Sequence, residues 1–222
     1  MWWLALHPHS FVVSVPTTTN DSVLDPQWDR RAVTRIIAGA ARGRRLAVPG
    51  GTRTRPTSDR AREGLFATVT AVHGPLTGAG VLDLYAGSGA MGLEALSRGA
   101  ARVVLVESDP AAARVIRANI AAVGLPGAQL VAGRVAAVLG RGPLAGAAFD
   151  VVLADPPYAA GEEEITHMLT TLQAGGWLAS GALVAVERAS RSGPVAWPAG
   201  YAPDRSRRYG EATFWYGLAA GT

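Results

Sequence analysis

The sequence predicts an α/β protein in which a doubly wound, mostly parallel β-sheet is covered by helices on both faces. The first observation behind this prediction is a regular alternation of strand-like and helix-like segments that begins at Val81. The second is that segments 102–107 and 149–154 are almost continuously apolar, which is typical of strands buried on both faces. The third is that an acidic residue stands at the carboxyl end of three of the predicted strands, where sheets of this kind bind ligands.

The individual elements follow from hydrophobic periodicity and from turn residues. Strands are predicted at 81–85, 102–107, 128–132, 149–154 and 182–187. Helices are predicted at 90–98, 110–123, 135–140 and 162–173. A further helix is expected after Thr57 or Ser58, either of which can cap it, with Asp59 in its first turn. The tail 212–218 alternates aromatic and aliphatic residues and predicts a last, antiparallel strand at or near the sheet edge.

Composition limits the classes of function that need to be considered. A chain of 222 residues, 49% of them hydrophobic, is long enough for one domain with a full core. The absence of cysteine excludes disulfides, thiolate catalysis and cysteine-ligated metal sites. The four histidines form no helical metal-binding pair, so we expect no metal. We also expect a monomer.

The basic residues are all arginine and are concentrated near the start of the chain. Ten of the 21 lie between positions 30 and 62, where Asp59 is the only acid. A patch of one sign is typical of a surface that binds phosphates, with a merely solvated surface as the alternative. We therefore expect residues 33–56 to form an arginine-rich, RNA-binding hairpin and loop. The candidate RNA-binding residues are Arg35, Arg42, Arg44, Arg45, Arg53, Arg55, Arg60 and Arg62.

Residues 1–32 differ from the rest of the chain and are interpreted as an extension. We expect this segment to be disordered, or to result from an upstream start codon with Val33 as the true start. No lysine or arginine precedes its apolar run and no small-residue cleavage site follows, which argues against a secretory signal. The run is also too short and interrupted to span a bilayer. We expect a cytoplasmic protein that does not contact a membrane, with its catalytic domain at 57–222.

The stretch 81–92 is predicted to bind the cofactor, because a strand there ends in a glycine turn that opens a helix. Two interpretations compete. Gly87 to Gly92 fits G-x-G-x-x-G, and Glu107 follows Gly87 by 20 positions, as in dinucleotide sites. Asp83, however, lies beneath the turn, where its carboxylate would repel a pyrophosphate and attract an ammonium group. S-adenosylmethionine carries an ammonium group, a carboxylate and a ribose diol, so we favour it over a dinucleotide.

The tetrapeptide Asp155-Pro156-Pro157-Tyr158 follows the strand 149–154 and is the candidate catalytic element. Its prolines fix the backbone and remove two N–H donors, which leaves a rim of acceptors formed by the Asp155 carboxylate and the Pro156 carbonyl. Such a rim suits a planar exocyclic amine, whose lone pair must be directed at an electrophile. Tyr158 provides a face on which an extruded base can stack. Asp155 would position the amine and stabilise the developing positive charge.

These motifs resemble those of known methyltransferases. Asp155 to Tyr158 is similar to the [N/D/S]-P-P-[Y/F/W] motif of class I S-adenosylmethionine-dependent methyltransferases that act on exocyclic or amide nitrogens. The segments 35–46, 55–66 and 82–98 closely resemble the bacterial 16S ribosomal RNA (guanine-N2) methyltransferases of the RsmD type. The resemblance runs from about Val33 to the C-terminus. It implies a Rossmann-like, seven-stranded sheet and methylation of the guanine numbered 966 in the RNA of the small ribosomal subunit.

The same resemblance assigns roles to individual residues. Asp83, Gly87 and Gly89 would line the methionine end of the cofactor, Glu107 would hold the ribose and Ser108 would lie beside the adenine. Asp155, Pro156 and Tyr158 would hold the target base. The further candidate cofactor-binding residues are Tyr85, Ala86, Ser88, Thr57, Arg134 and Val135. The chain departs from its relatives at Arg134, since arginine cannot accept a hydrogen bond from the adenine amino group.

Two alternative functions remain open from the sequence alone. One is an adenine-N6 methyltransferase or another transferase acting on an exocyclic or glutamine-amide nitrogen. The other is a ribosome assembly factor that binds S-adenosylmethionine without turnover. The arginine-rich segment argues against a peptide substrate, and the intact Asp155 to Tyr158 motif argues against a protein without turnover.

Overall fold

A computed structural model of the chain describes residues 33–50, 58–143 and 148–220. The first two strands, β1 (Val33–Arg35) and β2 (Arg45–Ala47), pair antiparallel, with Val33 opposite Ala47. The turn between them is closed by two backbone hydrogen bonds, from Ile36 N–H to the Arg44 carbonyl and from Gly43 N–H to the Ile36 carbonyl, both 2.9 Å. We refer to Val33–Ala47 as the N-terminal hairpin.

The remaining strands form one seven-stranded sheet with the order β5-β4-β3-β6-β7-β9-β8. The strands are β3 (Gly80–Leu84), β4 (Arg102–Glu107), β5 (Ala128–Ala132), β6 (Phe149–Ala154), β7 (Leu178–Ala189), β8 (Tyr201–Tyr209) and β9 (Ala212–Ala219). The first five are parallel to one another, and β9 lies antiparallel between β7 and β8. The predicted doubly wound, mostly parallel sheet is thereby confirmed.

Helices connect the strands and cover both faces of the sheet. They are α1 (Asp59–Val72), α2 (Ala90–Ser97), α3 (Pro110–Val123), α4 (Val135–Leu139) and α5 (Glu162–Ala174). The Ser58 hydroxyl caps α1 by accepting a hydrogen bond from Ala61 N–H at 3.2 Å. The Asp109 carboxylate caps α3 through the N–H groups of Ala111 and Ala112. The Asp109 cap fixes the start of α3 close to the carboxyl end of β4.

The core has two parts, one on each face of the sheet. Alternate residues of β3 point to opposite faces, so that Val81 belongs to one cluster and Leu82 to the other. Helix α1 contributes Leu65 and Phe66 to the first cluster, whereas α5 contributes Leu169 to the second. All five residues of β3 are buried. The central strands therefore provide a rigid base for whatever the loops at their carboxyl ends bind.

Two elements differ from the sequence-based expectation. Strand β7 begins at Leu178 rather than at 182, and its pairing with β6 shifts register between Phe149 and Val151. Strand β8 was not predicted at all, because its residues from Ala202 to Arg208 are mostly exposed and polar and lack an apolar alternation. Among the described residues, no helix is both long and apolar enough to cross a membrane.

Candidate active site

A cavity of about 270 Å³ opens at the carboxyl ends of β3, β4 and β6. Three stretches line it, one after each strand: 85–88, 107–109 and 155–158. Ala90 and Met91 of α2 complete this part of the wall. The cavity thus brings together the glycine turn, Glu107 and the Asp155 to Tyr158 motif, although these segments are far apart in sequence.

The turn after β3 has a strained backbone with a defined shape. Tyr85 has a φ of 60°, which is uncommon for a residue with a side chain. Gly89 has a φ of 78° and donates its N–H to the Ala86 carbonyl at 2.7 Å, immediately before α2 begins. A Cβ at Gly89 would lie 3.0 Å from the Leu105 side chain, so glycine is required there both by conformation and by space. The backbone of this turn forms part of the cavity wall.

Asp83, which is predicted to contact the ligand directly, holds the start of α2 from a buried position. Its side chain is fully buried and does not line the cavity. Its Oδ2 accepts a hydrogen bond of 2.8 Å from Gly92 N–H in the first turn of α2, and its Oδ1 has no partner among the described residues. Burial raises the pKa of this carboxyl to about 7. Asp83 therefore holds the first turn of α2 in place, and its contact with the ammonium group of a cofactor stays a prediction.

Glu107 lines the cavity and also holds the loops around it together. Its Oε2 accepts from Gly87 N–H at 2.8 Å, and its Oε1 accepts from the N–H groups of Ser108 and Asp109, each at 2.7 Å. A carboxylate offers about four lone-pair sites, so three are used within the protein. Glu107 can accept roughly one further hydrogen bond from a ligand, fewer than a ribose diol can donate.

The Asp155 to Tyr158 motif forms the other wall of the cavity. Asp155 and Pro156 line it, and burial raises the pKa of the Asp155 carboxyl to about 6. Ala160 N–H donates to the Pro157 carbonyl at 2.8 Å, which closes the turn after β6. The Tyr158 side chain is 62% exposed at the mouth, an unusual position for a large aromatic ring. Asp155, Pro156 and the exposed ring of Tyr158 therefore line the same cavity.

Other predicted cofactor-binding residues lie away from this cavity. Arg134 is exposed and precedes α4, and Val135 is buried in the core, so neither lines the wall. The strand end that carries them is joined to β4 by a hydrogen bond from Gly133 N–H to the Glu107 carbonyl, 2.8 Å long. Thr57, Arg53 and Arg55 lie outside the described residues.

Most of the predicted RNA-binding arginines that the structure describes are exposed: Arg35, Arg42, Arg44, Arg45 and Arg60. Arg62 is the exception. Arg62 is only 1% exposed, and its guanidinium donates to the Thr34 hydroxyl at 2.8 Å, the Arg35 carbonyl at 2.7 Å and Asp59 at 2.9 Å. Arg62 therefore attaches the N-terminal hairpin to α1 and also lines the cavity. It does not belong to the exposed arginine surface, and its contact with RNA stays a prediction.

Two further residues that anchor the N-terminal hairpin were missed by the sequence analysis. The fully buried Glu94 of α2 accepts from Ile37 N–H at 2.7 Å and Ala38 N–H at 3.0 Å, and is also paired with Arg98. Asn119 of α3 bonds to both backbone groups of Ala47 in β2 and donates to the Ser88 carbonyl. The sequence feature that could have identified them is that each is a polar residue on the apolar side of a helix. No group of three or more potential metal ligands occurs within the described part of the chain.

Comparisons with known proteins agree with this arrangement. The model of the family described as Conserved hypothetical protein 95 matches residues 34–217. Ribosomal RNA small subunit methyltransferase D of Escherichia coli K12 is 38% identical over 180 residues, which are 81% of this chain and 87% of that protein. A solved structure described as "Putative methyltransferase yhhF from Escherichia coli" is 33% identical, with a TM-score of 0.74 and coverage of 86% of this chain and 100% of that one.

A more distant solved structure, "A putative sam-dependent methyltransferase from Streptococcus mutans", is 14% identical and bears on the fold alone. It has a TM-score of 0.61 and covers 80% of this chain and 54% of that one. The sheet order and these similarities together identify the architecture as that of the class I methyltransferases. The chain belongs to the Conserved hypothetical protein 95 family, that of the RsmD-type ribosomal RNA methyltransferases of the small subunit.

Proposed function

We propose that this protein transfers a methyl group from S-adenosylmethionine to the exocyclic N2 of a guanine, the one numbered 966, in the 16S RNA of the small ribosomal subunit. One observation carries the proposal: the glycine turn and the Asp155 to Tyr158 rim line a single cavity of about 270 Å³. A methyl donor held by the turn and an amine held by the rim would therefore be neighbours, as a direct transfer requires.

The donor set of the cavity is compatible with S-adenosylmethionine. The turn after β3 ends at the N-terminus of α2, where backbone N–H groups favour a carboxylate. Glu107 retains about one acceptor site for a ribose hydroxyl. The cavity volume is close to the lower end of the range of about 300–1,000 Å³ for small-molecule sites. When bound, the cofactor supplies a sulfonium methyl group, which is electrophilic without a metal.

The protein's own residues would act mainly by positioning the amine. The Asp155 carboxylate and the Pro156 carbonyl can each accept one N–H of an exocyclic amine, which leaves the nitrogen lone pair free to face the cavity. The pKa of Asp155 of about 6 keeps this carboxyl ionised at neutral pH, ready to accept a hydrogen bond or a proton. The exposed ring of Tyr158 would stack on the target base.

The exposed arginines of the N-terminal hairpin support an RNA substrate. Arg42, Arg44 and Arg45 are exposed, whereas Glu94 and Asn119 hold the hairpin backbone against α2 and α3. Guanidinium groups on a rigid support bind phosphate with a low entropic cost. The relative in Escherichia coli is named for the RNA of the small ribosomal subunit, which supports the same substrate here and a cytoplasmic location.

The experiment uses small subunits from a strain that lacks the gene, incubated with the purified protein and S-adenosylmethionine. RNA mass spectrometry should detect one added methyl group on a guanine N2. Methylation of an adenine would favour the alternative substrate, and binding without any methyl gain would favour a non-catalytic assembly factor.

Asp155→Ala provides the matching test of the mechanism. It should lower the single-turnover rate by at least about 100-fold, by analogy with the loss of a charge-stabilising group in other enzymes. It should leave cofactor affinity within a few-fold of wild type. Glu163→Gln, which removes an exposed acid of α5, is the control and should change neither quantity. A large loss of cofactor affinity in Asp155→Ala would contradict the role given to this residue.

A further inference from the structure

A second group of arginines lies towards the C-terminus and is absent from the predicted RNA-binding set. Five arginines fall between positions 188 and 208, where Asp204 is the only acid. Of these five arginines, only Arg205 forms an ion pair within the described residues, and its partner is Asp204. Arg188, Arg191 and Arg208 have no carboxylate within 4.0 Å in the described part of the chain. We refer to these three as the C-terminal arginine group.

The register of the sheet places two members of this group on one face. Arg188 of β7 is paired with Thr213 of β9, and Thr213 is paired with Arg208 of β8. Directly paired residues project to the same side of a sheet, so both arginines lie in a single row across the three strands. The Arg208 Nε donates to the Gly210 carbonyl at 3.0 Å, which restrains that side chain.

The group adjoins the mouth of the active site. Arg188 and Ser192 line a small cavity of about 20 Å³ whose other residues include Asp155, Pro156 and Tyr158. The pKa of Tyr158 is raised by burial and by nearby carboxylates, and Arg191 opposes that rise, so its charge is close to the exposed ring. The arginines and the stacking ring therefore belong to the same surface.

The C-terminal arginine group and the N-terminal hairpin lie on different sides of that mouth. The hairpin is bonded to α2 and α3, which follow β3 and β4, and to α1 through Arg62. The C-terminal group belongs to the other half of the sheet, β7-β9-β8. Strand β6, which ends at the catalytic Asp155, lies between the two halves.

We propose that Arg188, Arg191 and Arg208 bind backbone phosphates of the substrate RNA on the side of the target nucleotide opposite to the N-terminal hairpin. This inference rests on the proposed function. A base that is extruded into the cavity leaves phosphates on both its 5′ and 3′ sides, and each needs a partner outside the stack. Arg191 and Arg208 are exposed and Arg188 is half-buried. Guanidinium groups that reach solvent and lack carboxylate partners are suited to this task, since they bind phosphate oxygens in a bidentate manner.

The first test compares the salt dependence of binding to small subunits. The double variant Arg191→Ala/Arg208→Ala should reduce the slope of log K against log salt concentration by about 1.5, since each lost phosphate contact contributes roughly 0.7–0.9. The control Arg117→Ala/Arg141→Ala removes the same charge from exposed positions on and after other helices and should leave the slope unchanged. Equal slopes in the two double variants would overturn the proposal. Thermal unfolding of both variants verifies that they fold.

The second test locates the group on the RNA. Because the chain contains no cysteine, Arg191→Cys or Arg42→Cys introduces a single thiol for a tethered iron–EDTA reagent. We expect the two tethers to cleave the RNA backbone on opposite sides of the target nucleotide. Cleavage on the same side, or cleavage of ribosomal protein without RNA cleavage by the tether at Arg191→Cys, would overturn the proposal. Opposite cleavage without any methylation would leave this inference standing and refute the proposed function instead.

Discussion

Replacement of Asn119 by alanine should destabilise the protein more than the loss of an ordinary polar side chain. Its Oδ1 accepts from Ala47 N–H at 2.8 Å, and its Nδ2 donates to the carbonyls of Ala47 at 2.9 Å and Ser88 at 2.8 Å. Because Asn119 is 2% exposed, the variant leaves three backbone groups without these partners. Unsatisfied buried groups cost about 1–3 kcal/mol each, and partial access to water favours the lower value, so we expect about 3 kcal/mol.

The measurement is thermal unfolding followed by amide hydrogen exchange. For a domain of this size about 1 kcal/mol corresponds to roughly 2–4 °C, so the melting temperature should fall by about 6–12 °C. Exchange protection should decrease both at Ala47 and in the turn that contains Ser88, because one side chain connects the two. Asn119→Asp should be at least as destabilising at neutral pH, since it places an oxygen against two carbonyls.

Arg117→Ala is the control for this experiment, because Arg117 is exposed on the same helix and its loss should cost less than about 0.5 kcal/mol. The reasoning would be refuted if Asn119→Ala unfolded within about 1 kcal/mol of wild type. It would also be refuted if protection were lost in the hairpin alone, because the turn that contains Ser88 would then be independent of Asn119.

Three other outcomes are expected. Arg62→Met should cost about 1–3 kcal/mol in unfolding experiments, because the Thr34 hydroxyl and the Arg35 carbonyl lose their buried donor while half-exposed Asp59 keeps access to water. Arg60→Ala should weaken RNA binding without affecting stability, and the reverse pattern would support the predicted contact of Arg62 with RNA. The methylation kcat/KM should fall about tenfold per pH unit below pH 6, where protonation of Asp155 removes the negative charge that stabilises the positive charge developing on the amine, and a profile flat to pH 4.5 would contradict this role. Asp83→Asn should weaken S-adenosylmethionine and its analogue lacking the amino group equally in calorimetry, because Asp83 does not line the cavity; a selective loss for the natural cofactor would support the predicted ammonium contact.

The elements that carry the site were predictable because each has a strong local signal. Continuous apolar runs gave β4 and β6, and the glycine turn and the Asp155 to Tyr158 motif are contiguous in sequence. Their convergence in one cavity follows from the rule that parallel strands present their carboxyl ends at one edge. Local patterns were sufficient for this part of the molecule.

The parts that were not predicted depend on partners distant in sequence. Strand β8 is defined by its pairing with β9 rather than by apolar alternation. Arg60 and Arg62 are two arginines close together in sequence, and no local pattern shows that one is exposed and the other buried. Only the contacts of Arg62 with Thr34 and Arg35, which are distant in sequence, distinguish it. Asp83 was correctly placed beneath the turn, but its distance from the cavity depends on how α2 packs over it.

The edge position of β8 has a consequence for the arginines that it carries. An edge strand exposes unpaired backbone groups that can pair with another chain, and charged residues, proline and register irregularities all discourage such pairing. Strand β8 has each of these features: Pro203, a shift of register between Pro203 and Arg205, and the exposed Arg207 and Arg208. Its arginines would thus protect the protein from edge-to-edge aggregation even when no RNA is bound. Neutralising all of them at once would therefore favour self-association of the free protein.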